Sequence, residues 1–165
     1  ERRELAATGM LSSAAMAGND EEVILAATAV STDTKVAPEL ENEARYYRAQ
    51  SLVKVNQMTH AVADWQSLAQ DTRNAYGAEA KYLLAQYLFD AGKTAEAEKE
   101  VLNYLEVSTP HAYWLARSFV LLSDIYAKLD RKLEARQYLL SLKQNYQADD
   151  DIAGMIESRL EKLNE

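Results

Sequence analysis

Two stretches of this chain, 36 residues apart, read Glu43-Ala44-Arg45-Tyr46-Tyr47-Arg48-Ala49-Gln50 and Glu79-Ala80-Lys81-Tyr82-Leu83-Leu84-Ala85-Gln86. A looser recurrence follows: Gly92-Lys93-Thr94-Ala95-Glu96-Ala97 aligns with Asp130-Arg131-Lys132-Leu133-Glu134-Ala135, 38 residues further on. Repetition at this spacing is typical of stacked helical hairpins, in which each unit buries its apolar face against its neighbours. The repeat therefore predicts an array of hairpins.

The apolar residues of each repeat half follow the helical period. In the last segment they recur at steps of three and four, as Ile152, Met155, Ile156, Leu160 and Leu163. Gly and Pro, which penalise helix interiors, number only 5 and 2 among 165 residues. These patterns predict an all-α chain without a sheet. The predicted helices span residues 3–17, 20–32, 38–55, 58–71, 75–91, 94–107, 111–129, 132–145 and 150–163.

Signals for helix ends support several of these boundaries. Pro38 suits the first turn of the third helix, and Gly92 suits the end of the fifth. Thr109-Pro110 predicts an N-cap followed by proline at the first position of the seventh helix. The three acids at 149–151 predict capping of the last helix, because carboxylates accept hydrogen bonds from free backbone N–H groups. A calcium loop is less favoured, since it would space its acids at alternate positions around a glycine.

The loops between the predicted helices are short, so consecutive helices are expected to be antiparallel neighbours. We expect a single domain over residues 1–165 with no linker. Its predicted parts are a degenerate N-terminal hairpin at 1–35, repeats at 38–73, 75–109 and 111–146, and a capping helix at 149–165.

Composition and charge exclude several classes of function. Lys and Arg number 18 against 26 Asp and Glu, a net charge of −8, which argues against a nucleic-acid binder because such proteins cluster cations against phosphates. With no Cys, the chain has no disulfides, thiolate nucleophiles or zinc–sulfur sites. No apolar run is long enough to span a bilayer. Because the chain opens at Glu1 without Met, we expect it to be a piece of a longer protein.

The repeats resemble the tetratricopeptide repeat (TPR) family, whose hairpins of about 34 residues carry small residues where the two helices cross. The family's large, small, large, turn and small positions are held in one repeat by Leu84, Ala85, Leu88, Gly92 and Ala97, and in the next by Leu122, Ser123, Tyr126, Asp130 and Ala135. In the repeat 38–73, Arg48 replaces the usual Leu and Asn56 replaces the usual Gly. The resemblance implies an α-solenoid, a right-handed superhelix with a concave groove.

Residues 109–117 and 138–142 are more narrowly similar to large TPR proteins of Bacteroidetes cell envelopes. That resemblance implies an exported protein of many repeats, with this chain as its C-terminal part, located in the periplasm or cell envelope. It assigns no residue to a reaction.

The chain offers few groups for catalysis. Only His60 and His111 titrate near neutral pH without help, and no acidic pair has metal-ligand spacing with either. The five glycines are isolated, so a glycine-rich phosphate loop is absent from the sequence. We therefore predict a protein that is not an enzyme and that holds no cofactor and no metal. An alternative role as an enzyme accessory domain would require a pocket that places His60 or His111 beside a carboxylate.

The predicted site is a ladder of tyrosine, glutamine and apolar side chains. Under the TPR alignment these residues line the concave groove, where tyrosine offers contact area and glutamine can bond an extended peptide backbone. The predicted groove residues are Tyr46, Gln50, Val53, Tyr82, Gln86, Phe89, Asp124 and Lys128. We expect the groove to bind a peptide or protein segment, which makes the chain an interaction scaffold.

Two other interpretations remain open. The tyrosines can pack against a neighbouring helix and belong to the core, and the repeats can be a purely structural segment of a longer envelope protein. Residues 112–146 hold six basic and three acidic residues, a local charge of +3. This basic patch suits an acidic partner or is simply a solvated helix face.

Overall fold

A computed structural model describes residues 2–107 and 109–165, and within these residues it contains nine helices and no strand. The helices are α1 (Arg2–Ala17), α2 (Asp20–Thr32), α3 (Pro38–Lys54), α4 (Met58–Leu68), α5 (Ala75–Asp90), α6 (Thr94–Glu106), α7 (Ala112–Lys128), α8 (Lys132–Asn145) and α9 (Ile152–Leu163). The predicted all-α class is confirmed for the described residues. Each predicted helix is present, with its ends shifted by three residues at most.

The chain divides into two compact units, Glu1–Asp71 and Thr72–Glu165. Unit 1 consists of the hairpins α1–α2 and α3–α4, and α2 packs along α3. One apolar cluster of unit 1 is formed by Leu11, Ala14, Val23, Ala26, Ala27, Val30 and Ala44. Four of these seven residues are alanines, and such small side chains allow helices to pack at close range.

Unit 2 consists of the hairpins α5–α6 and α7–α8, with α9 packed against α7 and α8. One core cluster joins α5, α6, α7 and α8 through Tyr82, Ala85, Ala97, Val101, Leu121, Leu122, Ile125, Tyr126 and Ala135. A second cluster holds α9 in place through Ile152 and Ile156, which are buried against α7 and α8. The apolar stripe predicted for the last helix therefore faces the core at these two residues.

The turn inside each hairpin has the same backbone geometry. Gly18, Asn56, Gly92 and Asp130 have positive φ angles of 68°, 61°, 79° and 58°. The N–H after each of them donates to the carbonyl five residues earlier, as in Gln57 to Leu52 at 2.8 Å and Lys93 to Leu88 at 2.9 Å. This is the Schellman ending of a helix, which needs one left-handed residue. Asn and Asp tolerate that conformation better than other residues with a side chain, so they can replace Gly there.

The residue five positions after each of these left-handed residues is almost inaccessible to solvent. These residues are Val23, Ala61, Ala97 and Ala135. In three of the four hairpins the residue is alanine, whose small side chain lets the second helix approach the first, whereas the first hairpin has the larger Val23 there. The small residues that carry the sequence repeat are therefore packing positions.

The helix-end predictions differ in outcome. Pro38 does occupy the first turn of α3, but the prediction for Thr109-Pro110 is wrong, because α7 begins two residues after the proline. Thr109 instead accepts a hydrogen bond from the backbone N–H of His111 and donates one of 2.7 Å to the carbonyl of Thr72. For α9, the carboxylate of Asp150 accepts from the N–H of Ile152 at 2.9 Å, as the capping interpretation expects.

Candidate functional site

In unit 1, the predicted tyrosine and glutamine lie one helical turn apart on α3 and contact each other. The Nε2 group of Gln50 donates a hydrogen bond of 2.8 Å to the hydroxyl of Tyr46. Gln50 is exposed, whereas Tyr46 and Val53 are half-buried. The ring of Tyr46 also meets the ring of Tyr47 edge-on, with centroids 5.6 Å apart. The helix itself produces the pairing, because side chains at i and i+4 lie on one face.

In unit 2, the same pair recurs on α5 with the hydrogen bond reversed. The hydroxyl of Tyr82 donates to Oε1 of Gln86 at 3.0 Å, and the Nε2 group of Gln86 donates to Asp90 at 2.8 Å. Tyr82 is only 5% exposed, because its ring stacks on Trp114 of α7 with centroids 5.7 Å apart. The contact area of Tyr82 is thus largely covered by the chain itself, and Gln86 is the more accessible member of the pair.

Arg117, which is not among the predicted site residues, joins α5 to α7. Its Nη2 group donates to the hydroxyl of Tyr82 at 2.9 Å, and its Nη1 group donates to the hydroxyl of Tyr113 at 3.0 Å. The guanidinium carbon lies 4.9 Å from the centroid of the Tyr82 ring and 6.0 Å from that of Tyr113. Burial acts to lower the pKa of Arg117, but the interactions with the two phenols outweigh it and raise the pKa. The arginine is therefore a permanent cation in an aromatic setting.

The network continues from α7 to the start of α9. The hydroxyl of Tyr113 lies 3.0 and 3.1 Å from the two carboxylate oxygens of Asp151, to which it donates. Burial raises the pKa of Tyr113, so this phenol keeps its proton over the physiological range. A polar chain thus runs from Gln86 through Tyr82, Arg117 and Tyr113 to Asp151. We call these five residues the polar row of unit 2.

The remaining predicted groove residues of unit 2 have different settings. Phe89 is half-buried and packs against the core cluster of α5–α8. Asp124 accepts two hydrogen bonds from Arg159 of α9, at 2.8 and 3.1 Å, so its carboxylate already has an internal cation. Lys128 is exposed at the last turn of α7. Of these three residues, Lys128 is exposed and the other two are half-buried.

A small cleft in unit 1 brings a histidine near a carboxylate, the arrangement that the enzyme-accessory alternative requires. The cleft measures about 320 Å³, and Arg48, His60 and Asp64 lie in its lining. Both oxygens of Asp64 accept hydrogen bonds from Arg48, at 2.8 and 2.6 Å, so its carboxylate is committed to the arginine. In unit 2, Nε2 of His111 lies 2.9 Å from the backbone carbonyl oxygen of Arg73. Neither histidine, among the described residues, has the carboxylate partner that orients a general base.

The described residues contain no cluster of three or more His, Asp or Glu side chains arranged to hold a metal ion. Over residues 2–107 and 109–165, no helix combines the length and apolar character that crossing a membrane would need.

Fold and site together define an all-α protein in which helical hairpins pack against one another within each unit, with a hydrogen-bonded tyrosine–glutamine pair on α3 of unit 1 and another on α5 of unit 2. Comparison with protein-family models, with curated proteins and with solved structures finds no match for this chain.

Proposed function

We propose that this protein is a non-enzymatic interaction scaffold that binds a peptide or protein segment on the helix faces carrying its tyrosine–glutamine pairs. The proposal includes the TPR-like right-handed superhelix and the cell-envelope setting that the sequence resemblance implies. Its main support is that the Tyr46–Gln50 and Tyr82–Gln86 pairs, 36 residues apart, each join a hydroxyl and an amide by an i to i+4 hydrogen bond, with donor and acceptor exchanged between the two pairs.

The chemistry of these faces suits an extended peptide. A glutamine amide both donates and accepts, so it can pair with the N–H and C=O groups of a bound backbone. An apolar residue follows each pair on the same helix, namely Val53 in unit 1 and Phe89 in unit 2, and both are half-buried. Such residues offer shallow apolar contacts for the side chains of the bound segment.

The test is selection from a random peptide library displayed on phage, followed by affinity measurement of synthetic peptides from the selected clones. Gln50→Ala and Gln86→Ala, made separately, should each weaken the peptides that bind their own unit by about tenfold, the loss expected for one or two hydrogen bonds. Gln144→Ala is the matched control, because Gln144 is an exposed glutamine on the second helix of its hairpin. Equal affinity of all three variants would reject the proposed faces.

The purely structural alternative has one specific observation in its favour. Tyr82 is 5% exposed and stacked on Trp114, which gives this tyrosine a packing role in unit 2. If the tyrosines of all the repeats serve only in packing, the library selection should yield no peptide with measurable affinity. The same experiment therefore separates the two functions.

A further inference from the structure

We propose that Arg117 recognises an acidic side chain, Asp or Glu, of a peptide bound on the α5–α7 face of unit 2. The inference rests on the proposed peptide-binding function and adds the charge of the bound segment. The partners of Arg117 are two phenol oxygens and two aromatic rings.

Four other arginines, including Arg45 with Glu41, are paired with carboxylates. Arg48 binds Asp64, Arg131 binds Glu134 and Arg159 binds Asp124. Within the described part of the chain, Arg117 has no carboxylate at ion-pair distance. A half-buried guanidinium has lost part of its hydration, so a direct anionic partner would be worth more to it than to an exposed lysine.

The two phenols hold Arg117 in a fixed position without neutralising it. Both phenol protons are committed elsewhere, that of Tyr82 to Gln86 and that of Tyr113 to Asp151, so both oxygens present lone pairs to the arginine. Guanidinium has five N–H groups, and the hydrogen bonds to the phenols use two of them. The other three are enough for a two-point contact with a carboxylate, the strongest pairing available to arginine.

The sequence segment that carries Arg117 is more basic than the chain as a whole. The helices α7 and α8 lie within residues 112–146, which carry six basic and three acidic residues in a chain of net charge −8. Asp151 is the carboxylate bound to the same network, but Tyr113 stands between it and Arg117. Asp151 therefore attracts the guanidinium through an intervening phenol, and a ligand carboxylate would contact it directly.

The experiment compares two peptide libraries on the full chain, one with a fixed central Glu and one with a fixed central Gln. Peptides selected from the Glu library should bind unit 2. Replacing their central Glu by Gln should weaken their affinity about tenfold, as expected for the loss of a charge-assisted contact. Arg117→Gln should abolish this preference, while binders from the Gln library keep their affinity. The affinity for Glu peptides should fall with added salt in the wild type and not in this variant.

Two further variants test whether the effect is specific to Arg117. Asp151→Asn removes the competing carboxylate while leaving Arg117 in place, and it should strengthen the binding of Glu peptides several-fold. Lys99→Gln removes an exposed cation from α6 and should change nothing. If neither library yields a binder, the proposed peptide-binding function fails. If both libraries bind equally well and Arg117→Gln has no effect, the function stands and the acidic preference is wrong.

Discussion

Arg48 and Asp64 form a closely bound ion pair inside unit 1, between α3 and α4. The guanidinium donates to both carboxylate oxygens at 2.8 and 2.6 Å, and Asp64 is only 3% exposed. A third nitrogen of Arg48 donates to Ser31 of α2 at 2.8 Å, so one side chain ties three helices together. The hydrogen bond to Asp64 is the main cause that raises the pKa of Arg48. The arginine stands where the TPR-like pattern expects leucine.

Removing one partner of this pair should destabilise unit 1. Asp64→Ala leaves a partly buried guanidinium without its anion, and we expect a loss of about 3 kcal/mol in the free energy of unfolding. The double variant Arg48→Leu/Asp64→Leu replaces the ion pair by an apolar contact, and its free energy of unfolding should lie within about 1 kcal/mol of the wild-type value. Urea unfolding can be followed by the fluorescence of Trp65, a residue of unit 1, in a Trp114→Phe background. A loss well below about 1 kcal/mol for Asp64→Ala would contradict this account.

Two glycines should respond in opposite directions to the same substitution. Gly92 has a φ of 79° at the turn after α5, where alanine would be strained, so Gly92→Ala should cost about 1 kcal/mol. Gly154 lies inside α9, and beyond the backbone of that helix there is no atom within 4 Å of the place a Cβ would take. Gly154→Ala should therefore stabilise by about 0.5–1 kcal/mol. Thermal unfolding of both variants by circular dichroism measures the difference, and shifts of the same sign would show that the turn is not under this constraint.

Neighbouring residues of α9 should differ sharply in their importance for stability. Ile156 is 2% exposed in a core cluster of unit 2, and Ile156→Ala should cost about 3 kcal/mol through lost burial and the cavity it leaves. Glu157 pairs with Lys143 at 2.6 Å, but more than half of each side chain is exposed. Glu157→Ala should therefore change stability by less than about 0.5 kcal/mol. Urea unfolding of unit 2 tests both, and a comparable loss for the two variants would be incompatible with the packing of α9.

Alkaline pH should destabilise unit 2 in a defined window. Burial, together with a hydrogen bond to Glu98, raises the pKa of Tyr126 from 10.0 to about 12. The folded state thus holds this proton more tightly than the unfolded state does. The stabilising contribution is complete below pH 10 and is lost as the pH rises to about 12.

Absorbance titration of tyrosinate can isolate this group. The difference between the wild type and Tyr126→Phe should report one tyrosine that ionises late, near pH 12. The variant should also lose less stability than the wild type between pH 10 and 12. A difference curve centred at the ordinary pKa of tyrosine would show that the phenol is not held as described. Tyr87→Phe, at a half-buried tyrosine of α5 that is not among the groups acting on Tyr126, is the control for general effects of the substitution.

Local features of the site could be predicted from the sequence, whereas cross-helix partners could not. The Tyr46–Gln50 and Tyr82–Gln86 hydrogen bonds follow from the i to i+4 spacing on a helix. The Tyr113–Arg117 bond has the same spacing and was an available signal for the missed residue. The bond from Arg117 to Tyr82 spans 35 residues, and nothing in the spacing alone reveals it.

The sequence by itself determined the helices, their hairpin turns and the small residues at the crossings, because those features depend on hydrogen bonds and contacts between residues close in the chain. Only the tertiary structure decided that Tyr82 is buried on Trp114, that Asp124 is paired with Arg159, and that Arg117 is held by two phenols. The exposure of a side chain and its ion pairs depend on neighbours that lie far apart in the sequence and meet only when the helices pack. The spacing of the sequence repeat therefore cannot specify them.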